Sequence, residues 1–233
     1  MSRKLYVATD TNNCWGNIDF IKAEKSVKKL QNRIAEAYTN GDMKLLSILQ
    51  HKMIHSFYAK ALSVKIVSSK QGAKTPGIDG IVYPTSEDKY RLIFELKFRG
   101  YNPRPLKRVY IPKSNGKYRP IGILTVKDRA MQTLCKFAIE PIAEITADDC
   151  SYAYRRNRSA KDAVVSCINI LSDNKNLKYA IKTDIKSCFD NISQEWLLDN
   201  IPFDKTLLKK LLNNKYVDKY GLINAENCLL RKI

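Results

Sequence analysis

The chain is 233 residues long and 44% apolar, enough for a substantial core in one large domain or two lobes and too apolar for a disordered polymer. Its 41 lysines and arginines against 23 acids leave a formal charge of +18, and polyphosphate is the usual partner of such a field, so nucleic acid is expected. No run of about 18 apolar residues exists, "MSRKLYVATDTNN" has no apolar leader core, and the cations are spread along the chain instead of lining one amphipathic helix; a cytoplasmic chain with no membrane contact is expected.

Residues 17–40 place Ile21, Val27, Leu30, Ile34 and Ala37 at helical spacing, and Asn40-Gly41 stops the run. Asp42 can cap a second helix carrying Leu45, Leu46, Leu49, Met53 and Phe57, so a helical hairpin is predicted at the N-terminus. His51 and His55 on that helix stand at i,i+4, but Lys52 follows His51 where a metalloprotease helix carries Glu, so they are read as solvated surface. The loop "SSKQGAKTPGIDG" over 68–80 either approaches a phosphate backbone through exposed N–H groups or is a plain flexible connector. A helix is predicted over 86–99, ending at Gly100.

In "LKRVYIPKSNGKYRPIGIL", over 106–124, two β-prone runs flank Ser-Asn-Gly-Lys, a strong hairpin signal. Lys107, Arg108, Lys113, Lys117 and Arg119 crowd it. Such a ribbon suits a finger that holds a triphosphate; an edge hairpin using lysines against aggregation is the alternative. Residues 126–145 read as a helix bent or ended by Pro141. "SYAYRRNRS", over 151–159, alternates aromatics and arginines as a segment facing RNA does, and Ser159 with Asp162 makes a capping-box start for a helix over 160–172. Six cysteines occur with no CxxC pair, so zinc is not expected, and several sit among apolar residues as reduced core thiols, Cys135 for one.

A strand is predicted over 178–185, followed by helices near 193–200 and 204–213. Alternation puts Ile181, Thr183 and Ile185 on an inward face and Lys182 and Asp184 on the other, so Asp184 ends the strand where the chain turns into "SCFDNI". A carboxylate there can bind a hard divalent cation, and nucleotidyl transfer uses two such ions about 4 Å apart. One aspartate at a strand end, taken alone, is more often a helix cap or a salt-bridge partner than a metal ligand.

The order of segments says more. "VKKLQNRIAEAYTNGD", "LSILQHKMIHSFYAKALSVKIVSSKQGAKTPGIDG", "RVYIPKSNGKYRPIGILTVKDRAMQ", "SYAYRRNRSAKDAV" and "KTDIKSCFDNI" together resemble the N-terminal part of group II intron reverse transcriptase/maturase proteins over roughly residues 15–200. The resemblance implies an α+β fold: right-hand polymerase fingers and a partial palm, with an N-terminal helical extension and a basic β-hairpin. It divides the chain into an extension (1–67), a linker loop (68–80), fingers (81–175) and a palm portion (176–233).

The implied activity is RNA-directed DNA synthesis with magnesium, or manganese in its place, on an RNA template or intron RNA with a DNA primer and deoxynucleotides, in a nucleic-acid-associated, bacterial-type cytoplasmic setting. Asp184 then corresponds to the first catalytic, metal-binding aspartate, and the main-chain carbonyl of Ile185 to a second ligand. Phe189 would lie under the incoming sugar and exclude a 2′-hydroxyl, while Lys113 and Arg119 would grip the triphosphate. Lys70, Lys74, Lys107, Arg108, Lys117, Arg155 and Arg158 are the candidate RNA contacts, and Asp190 orders the turn.

The match has departures. Ala153, Tyr154 and Arg156 replace the later residues of the family's Ser-Tyr-Gly-Phe-Arg-Pro pattern, so a different local turn is expected, and Leu124 stands where proline is common. No Tyr-x-Asp-Asp sequence occurs, and that motif supplies the family's other two carboxylates, so the chain is expected to hold at most half a metal site and to be complete only with downstream sequence, either supplied by a second chain carrying the rest of the palm and thumb or lost through a frameshift. Three readings stay open: a polymerase portion, an RNA-binding splicing module without synthesis, and an inactive mobile-element remnant.

Overall fold

A computed structural model describes residues 14–112, 114, 116–173, 179–186, 188–213, 215–218 and 221–223. Its first helix, α1 (Phe20–Thr39), starts where the Asp19 carboxylate accepts the Lys22 amide at 2.8 Å, and it ends before Gly41, whose φ of 71° suits a residue without Cβ. Val27, Leu30, Ile34 and Ala37 are buried along one stripe, as the spacing predicts, while Ile21 is exposed. Asp42 caps α2 (Met43–His55) as expected. The helix does not reach Phe57, however. Ser56 turns extended and its hydroxyl caps a new helix, α3 (Phe57–Ser69), so three helices stand where two were predicted.

Thr85 and Asp88 form a capping box for α4 (Ser86–Glu95), which stops four residues short of the predicted end. Strands β1 (Leu106–Pro112) and β2 (Tyr118–Ile123) form the predicted antiparallel hairpin, in register from Lys107↔Ile123 to Pro112↔Tyr118. After α5 (Val126–Thr146) come α6 (Ala160–Asp173), capped by Ser159 and Asp162, then α7 (Gln194–Asn200) and α8 (Lys205–Leu212). Two short strands, β3 (Tyr216–Asp218) and β4 (Gly221–Ile223), complete a sheet of order β2-β1-β3-β4 in which β1 and β3 run parallel. The result is a mixed α and β chain.

The strand predicted over 178–185 is not present in the described part of that segment. Residues 179–185 have no regular structure, and Tyr179 and Ile181 are each 87% exposed, so the expected inward face of Ile181, Thr183 and Ile185 is turned to solvent. A strand is defined by its hydrogen-bonded neighbour, and none of the four strands lies beside this segment. Cysteine placement is mixed too: Cys135 is buried in the core, but Cys150 and Cys167 are exposed.

The core is arranged around α5, against which α1, α2 and α3 all pack. Pro141 neither ends nor breaks this helix, which continues to Thr146. Proline removes the amide that would serve the carbonyl four residues back, here Phe137. The buried Gln31 side chain of α1 donates to that carbonyl at 3.3 Å, and Gln50 of α2 donates to the carbonyls of Ala138 at 3.2 Å and Pro202 at 2.8 Å. Two glutamines thus complete the helix and fix its neighbours' rotation about it.

At the other end of α5 the buried Asp128 carboxylate gathers three donors: the Tyr101 hydroxyl at 2.7 Å, the Arg104 amide at 3.1 Å and the Thr125 hydroxyl at 2.7 Å. Burial first, and then the Asp128 charge, push the Tyr101 hydroxyl far above its ordinary pKa, so it stays a donor. Lys210 of α8 donates to the Tyr101 carbonyl at 2.8 Å and brings the last helix to the same point. Asp128→Ala leaves the Tyr101 hydroxyl and the Arg104 amide without an acceptor and should cost about 3 kcal/mol; a urea titration should show a lower midpoint with an unchanged slope.

Candidate nucleic-acid interface

Residues directly opposite in an antiparallel pair share a face, so Arg119 lies with Ile111, Val109, Ile121 and Ile123 on one side of the hairpin. That side walls a cleft of about 630 Å³, closed opposite by Val67 and Lys70 at the end of α3 and by Arg129, Thr133 and Lys136 of α5. The hairpin ends the sheet with β2 as its outer strand, and one of its faces looks across an apolar floor at three cations. Lys107, Lys117 and Arg119 are exposed, whereas Arg108 lies 4.2 Å over the Tyr216 ring on the opposite side. Lys113 lies outside the described residues.

The loop over 68–80 is held, not slack. The Arg129 guanidinium donates to the Gly72 carbonyl at 2.5 Å and to that of Thr75, and a 3-10 turn forms over Gln71–Lys74. A Cβ on Gly77 would stand 2.6 Å from the Thr125 backbone, so this glycine admits a close approach of loop to helix start. Lys70 and Lys74 are exposed on the loop so fixed. Sequence reading missed Arg129 and Asp128, although Thr125-x-x-Asp128 is a helix-start signature that marks where such contacts gather.

Lys70, Thr133 and Lys136 also line an adjoining cleft of about 650 Å³, whose far wall carries Tyr154 and Arg156. The two clefts form one groove along α5. Phe189, half-buried, stands perpendicular to the Tyr154 ring, with centroids 5.9 Å apart and planes at 87°.

Arg155 and Arg158 behave differently from free phosphate contacts. The Arg155 side chain is 10% exposed, forks onto the Glu144 carboxylate at 2.5 and 3.0 Å, and donates to the carbonyls of Asp148 and Ser151. Arg158 reaches the same carboxylate at 3.3 Å and the Asp149 carbonyl at 2.7 Å. Both fix the 148–158 loop to the end of α5. Within that loop Tyr154 has φ 62° and Asn157 has φ 59°. Tyr154 and Asn157 are thus the left-handed residues of this loop, and Ala153 is not.

Asp184 and Ile185 are exposed on the irregular 179–186 segment. Among the described residues there is no group of three His, Cys, Asp or Glu placed to hold a metal ion. A two-ion site needs carboxylates from more than one element, and Asp184 with the Ile185 carbonyl supplies only one carboxylate. The residues described here therefore do not by themselves fit a catalytic magnesium pair. The Asp190 side chain falls outside what is described; its backbone closes a 3-10 turn over Cys188–Asp190.

With the groove in place, comparison with known proteins gives its class. Residues 15–96 match the family described as the N-terminal domain of reverse transcriptase, and residues 111–228 match reverse transcriptase (RNA-dependent DNA polymerase). Protein YkfC of Escherichia coli (strain K12) is 32% identical over 213 residues, 85% of this chain and 55% of YkfC. Group II intron-encoded protein LtrA of Lactococcus lactis subsp. cremoris is 36% identical over 133 residues, 56% of this chain and 22% of LtrA. Maturase-like protein 1 of Euglena longa is 25% identical over 234 residues, 95% of this chain and 49% of that protein. The chain belongs to the group II intron reverse transcriptase/maturase family, and it spans about half the length of YkfC.

The Glu144 clamp has a pH signature. The Arg155 hydrogen bond first, and the charges of Arg155 and Arg158 with it, hold the Glu144 carboxyl below its ordinary pKa. A depressed carboxylate stabilises the fold above its unfolded pKa, and that contribution is lost as pH falls through the folded value. Protease cleavage within 148–158 should therefore rise on acidification through the low carboxylate range, and Glu144→Gln should show the raised cleavage already at neutral pH.

Proposed function

We propose that this chain grips an RNA template and an incoming deoxynucleotide as the fingers and first part of the palm of a group II intron-type reverse transcriptase. In this reading residues 1–67 form the RNA-contacting extension, 68–80 the joining loop, 81–175 the fingers and 176–233 the palm portion. The observation that carries it is the hairpin face of Val109, Ile111, Ile121 and Ile123, turned across a cleft toward Lys70, Arg129 and Lys136, with Arg119 on the same face by register beyond the cleft's lining. A +18 chain that concentrates cations along a groove is suited to a phosphate backbone. Lys107, Lys117, Lys70 and Lys74 add exposed charge around it, while Arg155 and Arg158 serve by holding the loop that forms its far wall.

The reaction class is nucleotidyl transfer. Arg119 and Lys113 take the triphosphate, Phe189 the sugar, and Asp184 with the Ile185 carbonyl offers the first ligands to magnesium. Together with carboxylates that the described residues do not supply, these ligands would hold magnesium, which would contribute Lewis-acid chemistry to the transfer. Further palm sequence, from this chain's continuation or from a second polypeptide, is the natural cover for α6, where Val164, Ile168 and Leu171 are more than half exposed. No helix of the described residues is long and apolar enough to cross a membrane. A splicing module without synthesis is the second reading, favoured by the solvent-exposed position of Asp184 and by the lack, among the described residues, of any group of three acidic, His or Cys side chains placed to hold a metal.

A primed RNA template with magnesium and deoxynucleotides, assayed with the chain complemented by the rest of the palm and thumb, separates the two. Extension abolished by Asp184→Asn with RNA retention intact supports the polymerase; RNA retention without extension, unchanged by Asp184→Asn, supports the splicing module. If about six cations meet phosphates, the log–log dependence of RNA affinity on salt should have a slope of about −4 to −5. A flat response would overturn the groove assignment.

A further inference from the structure

Tyr154 holds a backbone conformation that an aromatic residue rarely adopts, with φ 62°, yet its side chain is 77% exposed. Such strain persists only where the surroundings over-determine it. Here they do: Glu144 anchors Arg155 and Arg158, and those two arginines fasten the carbonyls of Asp148, Asp149 and Ser151. The ring so presented does not enter the core. It stands in the wall of the groove, across from Lys70 and Lys136 and beside the exposed Arg156, with Phe189 perpendicular to it. A packing role alone would bury the ring.

We propose that Tyr154 is a stacking platform for one unpaired nucleobase of the RNA strand held in this groove, seated next to the nucleotide over Phe189. The inference rests on the reading of the groove as an RNA grip and adds to it a contact that phosphate binding does not require. Stacking on an aromatic face tolerates any base, because every base has a π-face, so the platform positions the strand without reading its sequence. The exposed cation of Arg156 stands where the flanking phosphate of a stacked nucleotide can be met.

The test uses the full chain and a short single-stranded RNA carrying 2-aminopurine, whose fluorescence is quenched by stacking. Three proteins are compared: wild type, Tyr154→Phe and Tyr154→Gly. Glycine adopts φ 62° without strain, so Tyr154→Gly should keep or raise the melting temperature while weakening RNA affinity roughly ten-fold. It should also lose most of the quenching and leave the salt slope unchanged, since no phosphate contact is removed. Tyr154→Phe should bind and quench as wild type does. Wild-type affinity and quenching in Tyr154→Gly, with the steep salt slope intact, would overturn the platform and spare the groove. Loss of affinity in step with a fall in melting temperature would mark a structural role and overturn it as well. A wild-type protein that holds no RNA at low salt would overturn the groove itself, and the platform with it.

Discussion

Pro141 takes one amide out of the middle of a buried helix, and the carbonyl of Phe137 must find another donor. Gln31 supplies it from α1, and Gln50 serves the neighbouring carbonyl from α2 while bonding Pro202 on the way into α8. The missing hydrogen bond is thereby replaced by a contact from α1, and Gln50 adds two more from α2 with defined geometry. An apolar seam alone would let helices slide by a turn at small cost. A buried amide that loses its acceptor forfeits about 1–3 kcal/mol, so the glutamines fix register as well as proximity.

The rest of the groove follows from α5 being fixed. Its first turn carries Asp128 and Arg129, which hold the chain before β1 and the 70–75 loop. Its last turns carry Glu144, which holds the opposite loop. The residues between, Thr133 and Lys136, line both clefts. One helix thus sets the spacing between the basic hairpin and the aromatic wall, and the exposed cations sit on segments whose backbone is tied to it.

Much of this was legible in the residues, and the rest was illegible for identifiable reasons. Helix α1 follows from its apolar stripe and the stop at Asn40-Gly41, the start of α2 from Asp42 as cap, and that of α6 from Ser159 with Asp162. The hairpin follows from β-prone runs around Ser-Asn-Gly-Lys. The break at Ser56 was hidden because serine is compatible with a helix interior as well as a cap. The segment 179–185 reads as a strand by alternation, but alternation reports suitability for a sheet and not the presence of a neighbour. Arginine roles were the least legible. Arg155 and Arg158 look like phosphate contacts until Glu144, more than ten positions away, is seen to claim them, while Arg129 gave no sign of its loop partners 54 and 57 positions earlier.

The parallel pairing of β1 with β3 has a consequence for how the chain tolerates change in length. Leu106 and Tyr216 stand side by side though 110 positions separate them, and Arg108 caps the junction by stacking on Tyr216. The entropy of closing such a loop grows only with the logarithm of its length, so doubling it costs about 0.6 kcal/mol. Residues inserted between α6 and α7 would therefore burden the junction little, while a change at Leu106 or Tyr216 would act on it directly. Sequence length is cheap across this long connection and the two-residue seam is not, so the sheet itself depends far more on Leu106 and Tyr216 than on how many residues lie between them.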